Sequence, residues 1–439
     1  MQKVAHRGRQ KGATIITTCL LLLFLLGFMA FALDFGRLFI VKTELQTAMD
    51  SCALSAAQEL DQLGTAIARA RSAGTTAANV NRVNLQSVNW DSKGQLAPDT
   101  DIAFYDSNFV PTTVDAAAAY VECSHVQPDV RLWLLRAMAA FSGNTTTFPA
   151  THDVGARAIA KRGSSQTTCP IPVAFKPNAG GTPPMYGLMR GQWMTIYGAR
   201  LAGNGEFGWY NLDGSTNAKS TKDQLESGIC NTRVGDTLGT PGAKTAVDEE
   251  WNYRFGIYRH KADDIALHRP DYSGYAYTET NWTNAATLTL PNGTTTTHWN
   301  AYAGAPNTAL SHATAQNYVI KQGAYASFDD TGTDLDAGST IVFGDPKRLN
   351  SFKSPLATPG IGGEHQQYGF NRRVATVPVI DDGNHVIDYF CAFLLQPMTG
   401  PTDDVKIEVI GPASDASSPC TTSGVPGGSA GPLVPVLVR

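Results

Sequence analysis

Seven cysteines are the residues best able to do covalent chemistry in this 439-residue chain. Cys19 lies inside an apolar run, whereas Cys52, Cys123, Cys169, Cys230, Cys391 and Cys420 are spread through the polar remainder. No C-x-x-C pair and no Cys/His cluster with zinc spacing occurs, so structural disulfides are the chemistry these six suggest. Six cysteines leave fifteen connectivities open, with buried free thiols as the alternative. The expected pairing joins sequence neighbours: Cys52–Cys123, Cys169–Cys230 and Cys391–Cys420. Other motifs match only in letters. Gly203-Asn204-Gly205-Glu206-Phe207-Gly208 fits GxGxxG, but Trp209-Tyr210-Asn211-Leu212 reads as strand where a dinucleotide site needs a helix N-terminus, so a β-hairpin loop is expected. Gly427-Gly428-Ser429-Ala430-Gly431 fits GxSxG, yet it lies in a low-complexity tail with no His after it. Asp329, Asp330, Asp334 and Asp336 lack EF-hand spacing and read as a solvated loop. Asp271-Tyr272-Ser273-Gly274-Tyr275 begins like a D-x-S-x-S metal site but lacks the second Ser. The nine His are scattered without an HExxH pair. No catalytic residue, metal or cofactor is expected from these patterns.

The elements that must carry the cysteines are set by one N-terminal feature. Lys3, Arg7, Arg9 and Lys11 precede twenty-two residues, Gly12 to Leu33, without a formal charge. At 1.5 Å per residue that run is about 33 Å long, enough to cross a hydrocarbon core of about 30 Å. The basic residues before it place the N-terminus on the cytoplasmic side and the six cysteines on the oxidising side. Membrane lipid is therefore one expected partner. Ala30-Phe31-Ala32 also resembles a signal-peptidase site, although secretory apolar regions usually run about 7–15 residues.

All twenty-four prolines come after position 97, and Arg37 to Leu63 holds no Gly. Apolar or small residues recur at Leu38, Val41, Leu45, Ala48, Cys52, Ala56, Leu60 and Leu63, the spacing of one helical face. The spanning helix is expected to run on as an amphipathic helix, about 45 Å beyond the bilayer, and to stop at Gly64. A bend near Asp34-Phe35-Gly36 is the alternative. Ala66–Ala78 reads as a fraying extension. Strands are expected at Ile102–Tyr105, Ala117–Val126 and Val154–Lys161, with a short helix or strand at Val130–Phe141. Beyond Cys169 the texture is β, with strands at Ile171–Phe175, Trp193–Tyr197, Phe207–Leu212, Thr340–Phe343, Val374–Ile380, Asp388–Leu395 and Val405–Ile410.

The fold class is thus α+β, organised as a basic tail at 1–11, a transmembrane helix at 12–33 and a helix-plus-sheet unit at 34–165. A β-rich domain at 166–412 with an insertion near 260–335, and a tail at 413–439 ending in a short strand, complete it. A charged fraction of 16% and a net charge of −4, with no basic run beyond the N-terminus, give no support for nucleic-acid binding.

The segment from Arg9 to Leu60 resembles the N-terminal region of TadG-like proteins of the Flp (Tad) pilus assembly system. The resemblance rests on Arg9–Gly12 before the span and on Asp34-Phe35-Gly36-Arg37-Leu38-Phe39 at its outer end. Lys42-Thr43-Glu44-Leu45-Gln46-Thr47-Ala48-Met49-Asp50 and the Ala-rich SCALSAAQEL follow. It implies an uncleaved anchor in a bacterial inner membrane, a pilin-like helix leading into a periplasmic domain, and a non-catalytic role in building or anchoring an adhesive pilus. Other pilus-assembly or pilin-like proteins would be the partners. Thr17 stands where type IV pilins carry Glu, and no von Willebrand A metal motif is present. Leu38, Val41, Leu45 and Ala48 are the candidate assembly face, since small side chains let a partner helix approach closely. The other function class is a secreted β-rich hydrolase or carbohydrate-binding protein with a cleaved signal peptide, using Trp251, Tyr253, Trp282, Trp299 and Tyr302 to stack on sugars.

Overall fold

The computed structural model describes residues 11–92, 94–134, 136, 143, 150–241, 247–255, 257–258, 271, 288–289, 295–296, 318, 349–350, 372–395, 398, 400, 402 and 404–438. The fold is α+β, with a long apolar N-terminal helix and sheets that include a closed barrel. Two compact units divide at Arg162/Gly163, and the last residues from Pro435 return to the first unit.

The first unit is organised by α1, one unbroken helix over Lys11–Gln58. No proline or loop interrupts it at Asp34-Phe35-Gly36, so the bend is absent. Hydroxyls inside the helix donate to carbonyls one turn back: Thr18 to Thr14 at 2.7 Å, Thr43 to Phe39 at 2.9 Å and Ser51 to Thr47 at 2.8 Å. Such bonds leave no stray donor on a helix that must lie in lipid or in a core. The helix ends at Gln58 rather than at Gly64, because the chain turns back at Glu59 and Asp61 under Arg69, which pairs with both carboxylates.

Ala66–Asn79 does not fray. It forms a second helix, α2, against α1. The packing is close because the facing residues are small: Ala53, Ala56, Ala57 and Ala70 are fully buried. A Cβ on Gly74 would stand 3.1 Å from both the Ala56 Cβ and the Cys52 Sγ. The orphan amides at the start of α2 are met from elsewhere in the chain: the Asp115 carboxylate accepts from Thr65 N at 3.2 Å and from Ile67 N at 2.8 Å.

Three strands follow: β1 (Ile102–Tyr105), β2 (Tyr120–Arg131) and β3 (Thr151–Ser164). They pair antiparallel, Ile102 opposite Cys123 and Cys123 opposite Ala158. The C-terminal strand Leu433–Leu437 adds beside β3. Val121, Cys123 and Val130 of β2 lie buried in one core with Val41, Leu45 and Ala48 of α1. Trp90 is buried in that core; its indole donates to Asn81 O at 3.0 Å, and its carbonyl accepts from Gln127 Nε2 at 2.9 Å.

The second unit is a closed six-stranded barrel of β4 (Val173–Lys176), β5 (Trp193–Tyr197), β6 (Glu206–Trp209), β7 (Val374–Ile380), β8 (Val386–Leu394) and β9 (Val405–Pro412). Around the barrel the order is β7-β8-β9-β5-β6-β4. β5 and β6 pair parallel, as do β4 and β7, while the other neighbours are antiparallel. The Gly203–Gly208 stretch is therefore not a hairpin loop: parallel strands need a crossover, which residues 198–205 supply. Two helices absent from the sequence reading, α3 (Ala218–Ser227) and α4 (Val247–Tyr253), pack with the barrel. Asn217 caps α3, accepting from Ser220 N at 2.7 Å. Two-residue pairs, Ile257–Tyr258 with Leu349–Asn350 and Leu288–Thr289 with Thr295–Thr296, complete the described strands.

The tail read as low-complexity is docked on the second unit. Gln166 N donates to Val425 O at 2.7 Å, and Gly427 N and Gly428 N both reach Ser164 O at 3.0 Å. Its glycines make this possible, since a Cβ on Gly428 would fall 1.8 Å from Ser165 O. The GxSxG letters are part of that seam. Thr340–Phe343 and the four aspartates from 329 to 336 lie outside the described residues.

Candidate functional site

The six cysteines form three pairs within their units. Cys52 of α1 bonds Cys123 of β2, 71 residues apart; Cys169 bonds Cys230 and Cys391 of β8 bonds Cys420, 61 and 29 apart. Cys19 is the free cysteine, exposed on the apolar half of α1. The first pair ties α1 to the middle strand of the sheet that supports it.

The surface of α1 changes abruptly along its length. From Ile15 to Leu33 nearly every large apolar side chain is exposed, as are Phe35, Phe39 and Ile40. This helix is long and apolar enough to cross a membrane, with only 6% of its most apolar window buried. From Val41 onward one face is sunk in the unit's own core.

That burial corrects the candidate assembly face. Val41, Leu45 and Ala48 are each 0% exposed, and Leu38 packs partly buried against the same core. The sheet covers the inner half of the face as well as the outer, so Val41, Leu45 and Ala48 are not open to a partner helix, and Leu38 at the edge is only partly exposed. The sequence reading set the limit of coverage too far out because it had no register for β2 and β3. In the structure Lys42 Nζ bonds Gly155 O, and Gln46 Nε2 donates to Arg157 O at 2.9 Å, which brings β3 down to the inner part of α1.

The residues that fix this junction went unassigned in the sequence. Asp34, 4% exposed, accepts from the backbone N–H of Trp133 at 3.1 Å and of Leu134 at 2.9 Å. The Arg37 guanidinium lies 4.4 Å from the centre of the Trp133 ring. The available signal was the first acid after a twenty-two-residue uncharged run, followed one turn later by Arg.

Two buried acids of the second unit are paired with bases inside it. Asp271 is buried against Arg373, whose backbone N–H donates to it at 2.8 Å and whose guanidinium lies 3.8 Å away. The letters of a metal motif there serve an ion pair. Glu250, on α4, lies 3.1 Å from Lys222, and burial pushes its carboxyl up to about 7. Burial lowers Arg254 to about 9. Trp251 and Tyr253 are buried, so neither presents a face to a sugar; Trp282, Trp299 and Tyr302 lie outside the described residues. Among the described residues no group of three His, Cys, Asp or Glu could hold a metal ion.

Residues 12–59 match the Tad family model, described as "Putative Flp pilus-assembly TadE/G-like". Comparison with curated proteins and with solved structures gives no match. The matched span begins one residue inside α1 and ends one residue past Gln58, so it coincides with this single element. Over this helix the chain is similar to the TadE/G-like segment of Flp pilus-assembly proteins, and the match covers no other part of it.

Proposed function

We propose that the chain is a non-catalytic component of a Tad/Flp-type pilus machine, minor-pilin-like, anchored in a bacterial inner membrane by α1. The observation that carries this reading is the coincidence of the TadE/G-like match with one continuous helix, exposed and apolar in its first half and core-forming in its second. A helix of that kind joins a membrane span rigidly to a folded domain. The basic residues before Gly12 favour a cytoplasmic N-terminus, which leaves both units in the periplasm. Binding to other pilus components supplies the function, and the anchor stays attached.

Intact mass of membrane-extracted protein should include the segment from Gly12 to Leu33. In a strain lacking the chain, the full sequence should restore pili, whereas a form carrying a cleavable signal peptide in place of residues 1–33 should not. A mature species beginning at Leu33, or full piliation by the released form, would return the reading to a secreted protein.

A further inference from the structure

We infer that the first unit rests on the bilayer surface, with Trp133 and Leu134 embedded in the lipid headgroup region at the level of Phe35 and Phe39. Four observations converge on this place. Trp133 is 66% exposed although it lies two residues past the end of β2 and is held by its backbone to a buried carboxylate. Leu132, just before it, is buried and donates to Ala150 O at 2.9 Å, so the chain leaving β2 is fixed while the Trp133 and Leu134 side chains turn outward. Phe35 and Phe39 remain exposed past the uncharged run, Phe35 stacking on Phe31 with centroids 4.9 Å apart. Arg37, at the same level of the helix as these two phenylalanines, lies over the Trp133 ring.

Height along the helix decides what covers this patch. Asp34 follows Leu33 directly, and Arg37 lies about 6 Å further along the axis at 1.5 Å per residue. The headgroup zone on each side of the hydrocarbon is itself about 5–7 Å thick. A side chain hung from Asp34 and stacked on Arg37 is therefore at headgroup level once the apolar run fills the hydrocarbon. Trp is enriched there because its ring is apolar and its N–H can stay wet, while Arg at the same level meets phosphate. The patch is continuous with the lipid-facing surface of α1, so the same bilayer covers both. The domain is not carried on a stalk of about 45 Å, the length that 1.5 Å per residue gives for a free outer helix.

The test reconstitutes the full chain in vesicles of phosphatidylcholine brominated near the headgroup end of its acyl chains, with unbrominated vesicles as reference. Bromine quenches only indoles in contact with lipid. Trp90, Trp193, Trp209 and Trp251 are buried in their units, so Trp133 should carry much of the quenched emission. Trp133→Phe preserves an aromatic ring and should cut the fractional quenching by roughly half or more, as expected for a lipid-level tryptophan. Equal quenching in wild type and variant would overturn the inference. So would a Trp133 emission reached by aqueous acrylamide and untouched by brominated lipid, which would mark the patch as open to water or protein. Either result leaves the pilus reading standing, since that reading rests on α1 and on piliation.

Discussion

Asp34 shows how much one side chain can organise at the end of the exposed apolar run of a helix. Its two oxygens accept from Trp133 and Leu134, and it is almost fully buried in doing so. Hydrogen bonds to a charged acceptor contribute about 1.5–3 kcal/mol each, and leaving two amides unmet at an apolar boundary adds to the cost. Asp34→Ala should therefore free the strand end from the helix while leaving the core around Val41, Leu45 and Ala48 in place. Hydrogen exchange should report this as lost protection at residues 132–134 with unchanged protection over residues 41–57. Unchanged protection at Trp133 would show that the strand end is held by something else. The same residue-level logic disposes of two motifs. Asp271 looks like the start of a metal site, but Arg373 occupies its carboxylate. Ser429 looks like a nucleophile, but the glycines around it bring the backbone against Ser164 and Ser165. Letters cannot separate these uses, because the deciding partner lies far away in sequence.

At the scale of elements, the strongest signals were those with a physical period. The uncharged run and the Pro-free stretch after it specify α1, and strands such as Trp193–Tyr197 and Val374–Ile380 follow from short β-branched and aromatic runs. The Ala-rich segment that became α2 was harder to read. Its helix depends on close packing against Ala53, Ala56 and Cys52 and on a cap from Asp115, neither of which is local. Helices α3 and α4 are short and polar, with little periodicity of their own. On α4, Glu250 is buried against Lys222, and its carboxyl titrates near 7 in place of 4.5. Desolvation is the main cause, and the Lys222 bond opposes it only in part. A carboxyl raised on folding contributes stability that is fully present below pH 4.5 and is lost as the pH rises through about 7. Glu250→Gln removes that loss. The variant should match wild type in thermal unfolding at pH 4.5 and exceed it at pH 8, by up to about 3 kcal/mol. A variant less stable than wild type at pH 8 would mean that the Lys222 pair outweighs desolvation.

For the whole molecule the open question is which side of the membrane the two units occupy, and the cysteines answer it chemically. Each of the three disulfides lies inside one unit, so each reports the compartment in which that unit folded. The one joining Cys52 to Cys123 closes a loop of 71 residues, worth about 4 kcal/mol of unfolded-state entropy. That is a large share of the 5–15 kcal/mol typical of a domain, so a reducing compartment would leave the first unit marginal. Cys19 is the internal control, because it lies in the exposed apolar run and is the free cysteine of the structure. Cells expressing the chain, trapped with acid and alkylated in denaturant before any reductant is added, should yield one modified cysteine. Reduction followed by a second alkylating reagent should then mark the remaining six of the seven in the sequence. Seven cysteines modified in the first step would place both units in the cytoplasm and reverse the orientation drawn from Lys3, Arg7, Arg9 and Lys11. Three modified in the first step, Cys19 with one pair, would assign the missing bridge to its unit and show that this unit folds without it.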